Sequence, residues 1–105
     1  MYIKLFTNVV VPVATPAVSQ AVPMNGDNAC YIMTVSIVNG AGSGQLQQSN
    51  DLTNWTNVGS AITTAAAPSN KEGSITGISG AYVRLVLTAS GSTAIFSADI
   101  NTVNV

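Results

Sequence analysis

The chain reads as an all-β protein: an antiparallel two-sheet sandwich of about eight strands, jelly-roll-like, with an immunoglobulin-like sandwich as the alternative. Three observations carry this. No stretch sustains the i, i+3, i+4 apolar spacing of a helix. Val, Ile and Thr are abundant in runs that alternate with polar residues. Gly, Asn, Ser and Pro punctuate the chain at short intervals, as turns between short strands do. Two packed sheets suit that strand count. The Cys…Trp…Cys spacing of true immunoglobulin domains is absent, because Cys30 is alone.

The elements follow in order. Tyr2–Val11 is a strand with Ile3, Leu5, Val9 and Val11 on one face. Pro12 and Pro16 interrupt it, and Val18–Pro23 is a short edge strand, since proline cannot donate to a ladder. Residues 1–23 thus form an N-terminal arm or edge strands. "MNGDN" is a turn on Asn25-Gly26. Cys30–Val38 is a strand with Tyr31, Met33, Val35 and Ile37 sharing one face. "NGAGSG" turns the chain, because glycine reaches positive φ without steric cost. Gln45–Ser49 and Trp55–Ile62 pair across "NDLTN". "TTAAAPSNKEG" is a loop, Gly73–Ile78 a weak strand. Ala81–Ala89 places Val83, Leu85 and Leu87 inward and Tyr82, Arg84 and Val86 outward. Ala94–Val105 closes the chain with Phe96, Ala98 and Ile100 on one face. No linker divides residues 1–105, so the expectation is a single domain.

Composition bounds the function. Of 105 residues only 7% are charged, and 47% are apolar; an ordinary soluble domain is about 25% charged. Lys4, Lys71 and Arg84 are the whole cationic complement. They make no basic patch, so nucleic acid is not an expected partner. A net charge of −1 gives little colloidal repulsion. Two readings follow: a surface covered by other subunits, or a monomer coated in Ser, Thr and Asn. No apolar run approaches the roughly 20 residues that span a bilayer. The N-terminal stretch, broken by Asn8, Pro12 and Pro16, reads as part of the fold and not as a leader.

Chemistry has few candidates. There is no histidine, and Cys30 sits in the apolar run "CYIMTVSIV", where an inert buried thiol is expected. The carboxylates are Asp27, Asp51, Glu72 and Asp99. Zinc lacks ligands. A calcium shell would have only Asp27 or Asp51 to start from, and an aspartate in such turns usually bonds its own backbone. "NGAGSG" has neither dinucleotide nor P-loop spacing and precedes no helix. The expectation is no catalytic residue, no cofactor and no metal: not an enzyme. "Asn54-Trp55-Thr56" matches the glycosylation pattern, but no secretion signal accompanies it.

The remaining candidate site is "LQQSNDLTNWTNVGSAI", Leu46 to Ile62. Asn50, Asp51 and Asn54 suit turn dihedrals. Trp55 opens the return strand, where it either packs over the hairpin base or presents its ring to a sugar or a neighbouring subunit.

With "ISGAYVRLVLTASGSTAIFSADI" downstream, this stretch resembles a β-sandwich pattern of bacteriophage virion proteins. There an "SNDGTNW" hairpin is followed by "YVRL" and a Gly-Ser turn into the last strand. A weaker resemblance is to discoidin-like sugar-binding domains, with an "S-D-D-G-x-x-W" corner and a following "yvRl" strand. The match runs from about Leu46 to Ile100, with Leu52 where both patterns have glycine. The first resemblance implies a capsid-associated (decoration or minor capsid) or tail subunit. It would be located in the virion, made in the host cytoplasm, and assembled with itself and with partners such as a capsid shell. The second implies a small carbohydrate-binding module with Asn50, Asp51, Asn54 and Trp55 as its contacts to glycans.

Overall fold

The computed structural model describes residues 1–64 and 67–105, with the backbone alone given for residues 32–38. The strands are β1 (Tyr2–Val11), β2 (Ala17–Val18), β3 (Val22–Pro23), β4 (Ala29–Asn39), β5 (Gly42–Ser49), β6 (Thr56–Asn57), β7 (Ile62–Thr64), β8 (Ser69–Ile75), β9 (Tyr82–Ala89) and β10 (Ala94–Val103). One sheet has the order β1-β10-β4-β8. The other runs β2-β9-β5-β6, with β3 also on β9 and β7 also on β5. Every ladder is antiparallel.

Among the described residues these ten segments reduce to eight strand positions, because β2 with β3 and β6 with β7 each form one interrupted edge strand. The pairings then nest: β1 with β10, β2/β3 with β9, β4 with β8, and β5 with β6/β7. The chain is one long hairpin folded over into two sheets, which is the jelly roll. In an immunoglobulin sandwich the first and last strands are not ladder partners; here Tyr2 pairs with Asn101 and Val11 with Ala94. Residues 1–23 supply the edge strand of both sheets.

The core lies between the sheets. Leu46, Val83, Leu85 and Leu87 from one sheet meet Val11, Cys30, Phe96, Ala98 and Ile100 from the other, all essentially inaccessible. The period-two pattern of β9 and β10 is continuous along both strands, as a sheet with one buried face demands.

Four departures from the sequence reading have physical causes. In β1 two bulges shift the register between Lys4 and Val9, so Phe6 stands opposite Ala98 and Leu5 becomes the inserted residue. Asn8, at φ 49°, closes the second bulge, and its N–H donates to Ser97 Oγ at 2.9 Å. "NGAGSG" is mostly strand: Gly40 (φ 79°) and Ala41 make the connection, and β5 starts at Gly42. A side chain at 42 would stand 2.2 Å from the Thr88 carbonyl and 2.5 Å from the Phe96 ring, so glycine there makes room for Phe96.

Val18–Pro23 and Trp55–Ile62 are each broken in the middle. Ser19 replaces a ladder partner with its side chain, its Oγ accepting from Leu85 N at 2.9 Å. Gly59 turns at φ 72°, and the Gln45 amide bridges that break by donating to the Leu46, Val58 and Gly59 carbonyls. Finally, Ser69–Gly73 belongs to β8, paired to β4, and not to a loop. Residues 65–66 of "TTAAAPSNKEG" lie outside the described residues. So do the side chains of Met33, Val35 and Ile37; of the face expected for β4, Tyr31 is exposed while its neighbour Cys30 is buried.

Candidate functional site

The Asn50–Trp55 loop joins β5 to β6, so it is the tip of the nested hairpin. Ser49 anchors it from a buried position. Its Oγ accepts the N–H groups of Asp51 (3.2 Å) and Leu52 (3.0 Å) and donates to Asp51 Oδ1 (3.0 Å). Asp51 Oδ1 also accepts from Thr53 N (2.9 Å) and Asn54 N (2.8 Å), and Oδ2 from Asn54 Nδ2 (2.7 Å). The backbone N–H groups of Asn54 and Thr53, then the Asn54 amide and the Ser49 hydroxyl, hold the Asp51 carboxyl well below the usual carboxylate range. The carboxylate is thus spent on closing its own turn. Leu52 sits at the apex with φ 64°, the left-handed position that suits glycine.

Trp55 leaves the loop toward the outer face of the β5/β9 sheet and is half-buried. Its Nε1–H donates to Leu52 O at 3.3 Å. The Arg84 guanidinium lies over its ring, 4.3 Å from the centroid. Arg84 Nε in turn donates to Gln47 Oε1 at 2.8 Å, and Gln47 Nε2 to Asn57 Oδ1 at 3.0 Å. Strand alternation makes this row: Arg84, Gln47 and Asn57 are cross-strand partners.

Asn50 turns the other way. Its Oδ1 accepts from Ala81 N at 2.9 Å. Gln48 Oε1 accepts from Ser79 N (3.1 Å) and Gly80 N (2.9 Å). These bonds strap the β8–β9 loop to the tip. Two clefts open beside them. One, of about 340 Å³, is lined by Asn50, Asp51, Asn54, Thr56, Ser79 and neighbours. The other, of about 510 Å³, lies between the β3–β4 turn and the β8–β9 loop and includes Asn25, Asp27, Asn50 and Tyr82.

Of the four residues singled out from sequence, Asn50, Asp51 and Asn54 therefore share a cleft, and Trp55 stands apart on Arg84. Sequence reasoning missed Ser49, Gln48 and the contribution of the β3–β4 turn. The outward alternation of Arg84 was visible, but the neighbour it would meet was not.

Elsewhere, Cys30 is fully buried and burial pushes its thiol up to about 11, so it is a poor nucleophile at neutral pH. Among the described residues, no three His, Cys, Asp or Glu side chains gather as a metal ion would require. Among the described residues, no helix is long and apolar enough to cross a membrane.

No protein-family model matches the chain. No curated protein matches it either. Among solved structures it is similar to the C-terminal domain of a chitobiase from Bacteroides fragilis. The two are 18% identical, with a TM-score of 0.46 over 85% of this chain and 66% of that one.

Proposed function

We propose that the chain is a non-enzymatic structural subunit of a phage-like particle, capsid-associated or part of a tail, that works by homo-oligomeric assembly and by contact with other virion proteins such as a capsid shell. The observation that carries this is the crossing from β1 to β2. Val10, Val13 and Val18 are 59%, 48% and 50% exposed along the nine residues that end β1, cross between the sheets and form β2, so the patch joins an edge of one sheet to an edge of the other. A surface with seven charged residues in all does little to keep such an edge apart from a second copy. Identical edges can bury one another in a closed, symmetric assembly.

The carbohydrate reading centred on Trp55 has less support. One face of the indole carries Arg84, its N–H is bonded to Leu52 O, and the Asp51 carboxylate is consumed by its own loop.

The test is light scattering coupled to size-exclusion chromatography over a wide concentration range, with electron microscopy of the purified protein. The wild type is expected to assemble and the V13D/V18D variant to remain monomeric while folded. A wild type that stays monomeric at high concentration would overturn the proposal.

A further inference from the structure

The larger cleft between the β3–β4 turn and the β8–β9 loop carries an inference independent of assembly. We propose that it binds a neutral saccharide, with the Asp27 carboxylate, the Asn25 and Asn50 amides and the Tyr82 ring and hydroxyl as its contacts.

The walls are held in place. Asn25 (φ 53°) and Gly26 (φ 88°) make a tight turn closed by Asp27 N donating to Met24 O at 2.9 Å. Met24 N donates to Ala81 O (2.8 Å) and Ile78 N to Asn28 O (2.9 Å), which ties the two loops across the buried Met24 and Ile78. Asn28 is spent on Val105, accepting from its N–H and donating to its carbonyl. Gly80 packs against Gln48 so closely that an added Cβ would stand 2.8 Å from it. A site braced this way is shaped before any ligand arrives.

Its polar groups are unspent. Asn50 uses Oδ1 on Ala81 N, which fixes its amide plane, and Nδ2 has no partner among the described residues. Asn25, Asp27 and Tyr82 line the same cleft, and their side chains make no hydrogen bond among the described residues. At about 510 Å³ the cleft is in the range of small-molecule sites.

The chemistry selects the ligand. No Lys or Arg lines the cleft, and Asp27 repels anions, so phosphates and acidic sugars are disfavoured. A single carboxylate among amides is too little charge for a dedicated calcium cage. An extended peptide docks on an open strand edge or in apolar pockets, whereas here the loop backbones are already tied to one another. What remains is a ligand that donates and accepts at adjacent atoms: vicinal hydroxyls. An amide offers both a donor and an acceptor, and a carboxylate accepts from two hydroxyls at once. A half-buried tyrosine adds a ring for the apolar face of a pyranose.

The experiment is a titration of ¹⁵N-labelled protein with glucose, galactose, mannose and N-acetylglucosamine, together with an array of neutral and acidic glycans. Shifts are expected in residues 24–28, 50 and 78–82 with a neutral sugar. Asp27→Asn and Tyr82→Phe should each weaken binding about tenfold, and Trp55→Phe should leave it unchanged. Asp27 makes no side-chain bond among the described residues, so D27N is expected to fold with an unaltered melting temperature. Binding to none of these glycans, preference for acidic ones, perturbations centred on Trp55, or full affinity in both D27N and Y82F would each overturn the proposal.

Discussion

The guanidinium carbon of Arg84 lies 4.3 Å from the centre of the Trp55 ring, joining the tip of the hairpin to the outer face of β9. Exposed cation–π contacts are worth about 0.5–1 kcal/mol, and the Arg84–Gln47 hydrogen bond about 1 kcal/mol more. Arg84→Ala should therefore lower unfolding free energy by about 1–2 kcal/mol in urea titrations. A double-mutant cycle with Trp55→Ala should return a coupling of about 0.5–1 kcal/mol. A coupling of zero would mean the two side chains are merely adjacent.

Leu52 occupies the left-handed region at φ 64° with its side chain about half exposed. A non-glycine residue there costs roughly 1–2 kcal/mol, partly offset by the greater unfolded-state freedom of glycine. Leu52→Gly should raise stability by about 0.5–1 kcal/mol. That is the residue found at this place in the "SNDGTNW" pattern. A loss of stability measured by chemical denaturation would show that Leu52 packs more than its exposure implies.

Asp51 gives the loop a pH signature. Its folded pKa is depressed by the hydrogen bonds it accepts, so its contribution is fully present above the unfolded value of about 3.9. It is lost as pH falls through the folded value. Asp51→Asn should be less stable than wild type near neutrality, with the gap narrowing progressively below about pH 4. Thermal melts of both proteins from acid to neutral pH would check this. A gap that stayed constant would show the carboxylate charge to be irrelevant.

Gly42→Ala tests the packing at the start of β5. The new methyl would meet a backbone carbonyl and the fully buried Phe96 ring, neither of which can move cheaply. Overpacking of this kind costs about 1–3 kcal/mol, readable as a lowered urea midpoint with an unchanged slope. An unperturbed midpoint would mean Phe96 has room to shift.

The strands that were legible in the sequence are those with one face in the core. Tyr82–Ala89 and Ala94–Val103 alternate strictly, and their inward residues were identifiable from period two alone. Strands that owe their state to a neighbour were not. Gly42 and Gly44 read as a turn because Phe96, which explains Gly42, is far away in sequence. Ser69–Gly73 read as a loop because an edge strand facing solvent carries Asn70, Lys71 and Glu72, the same residues a loop would. The tip showed the same division. Its Asn and Asp residues announced a turn, whereas the Trp55–Arg84 stack and the clefts beside Asn50 arise only when separate loops converge.

The nested pairing has a kinetic consequence. Gln48 and Thr56 face each other across the tip, whereas Tyr2 and Asn101 are separated by nearly the whole chain. Closing that outermost ladder first would cost about 2 kcal/mol more loop entropy than closing the innermost one. Zipping outward from the tip instead lengthens each successive loop only slightly. The Ser49–Asp51 turn is thus placed to act as a nucleus, and substitutions within it should slow folding, whereas changes in β1 should chiefly speed unfolding.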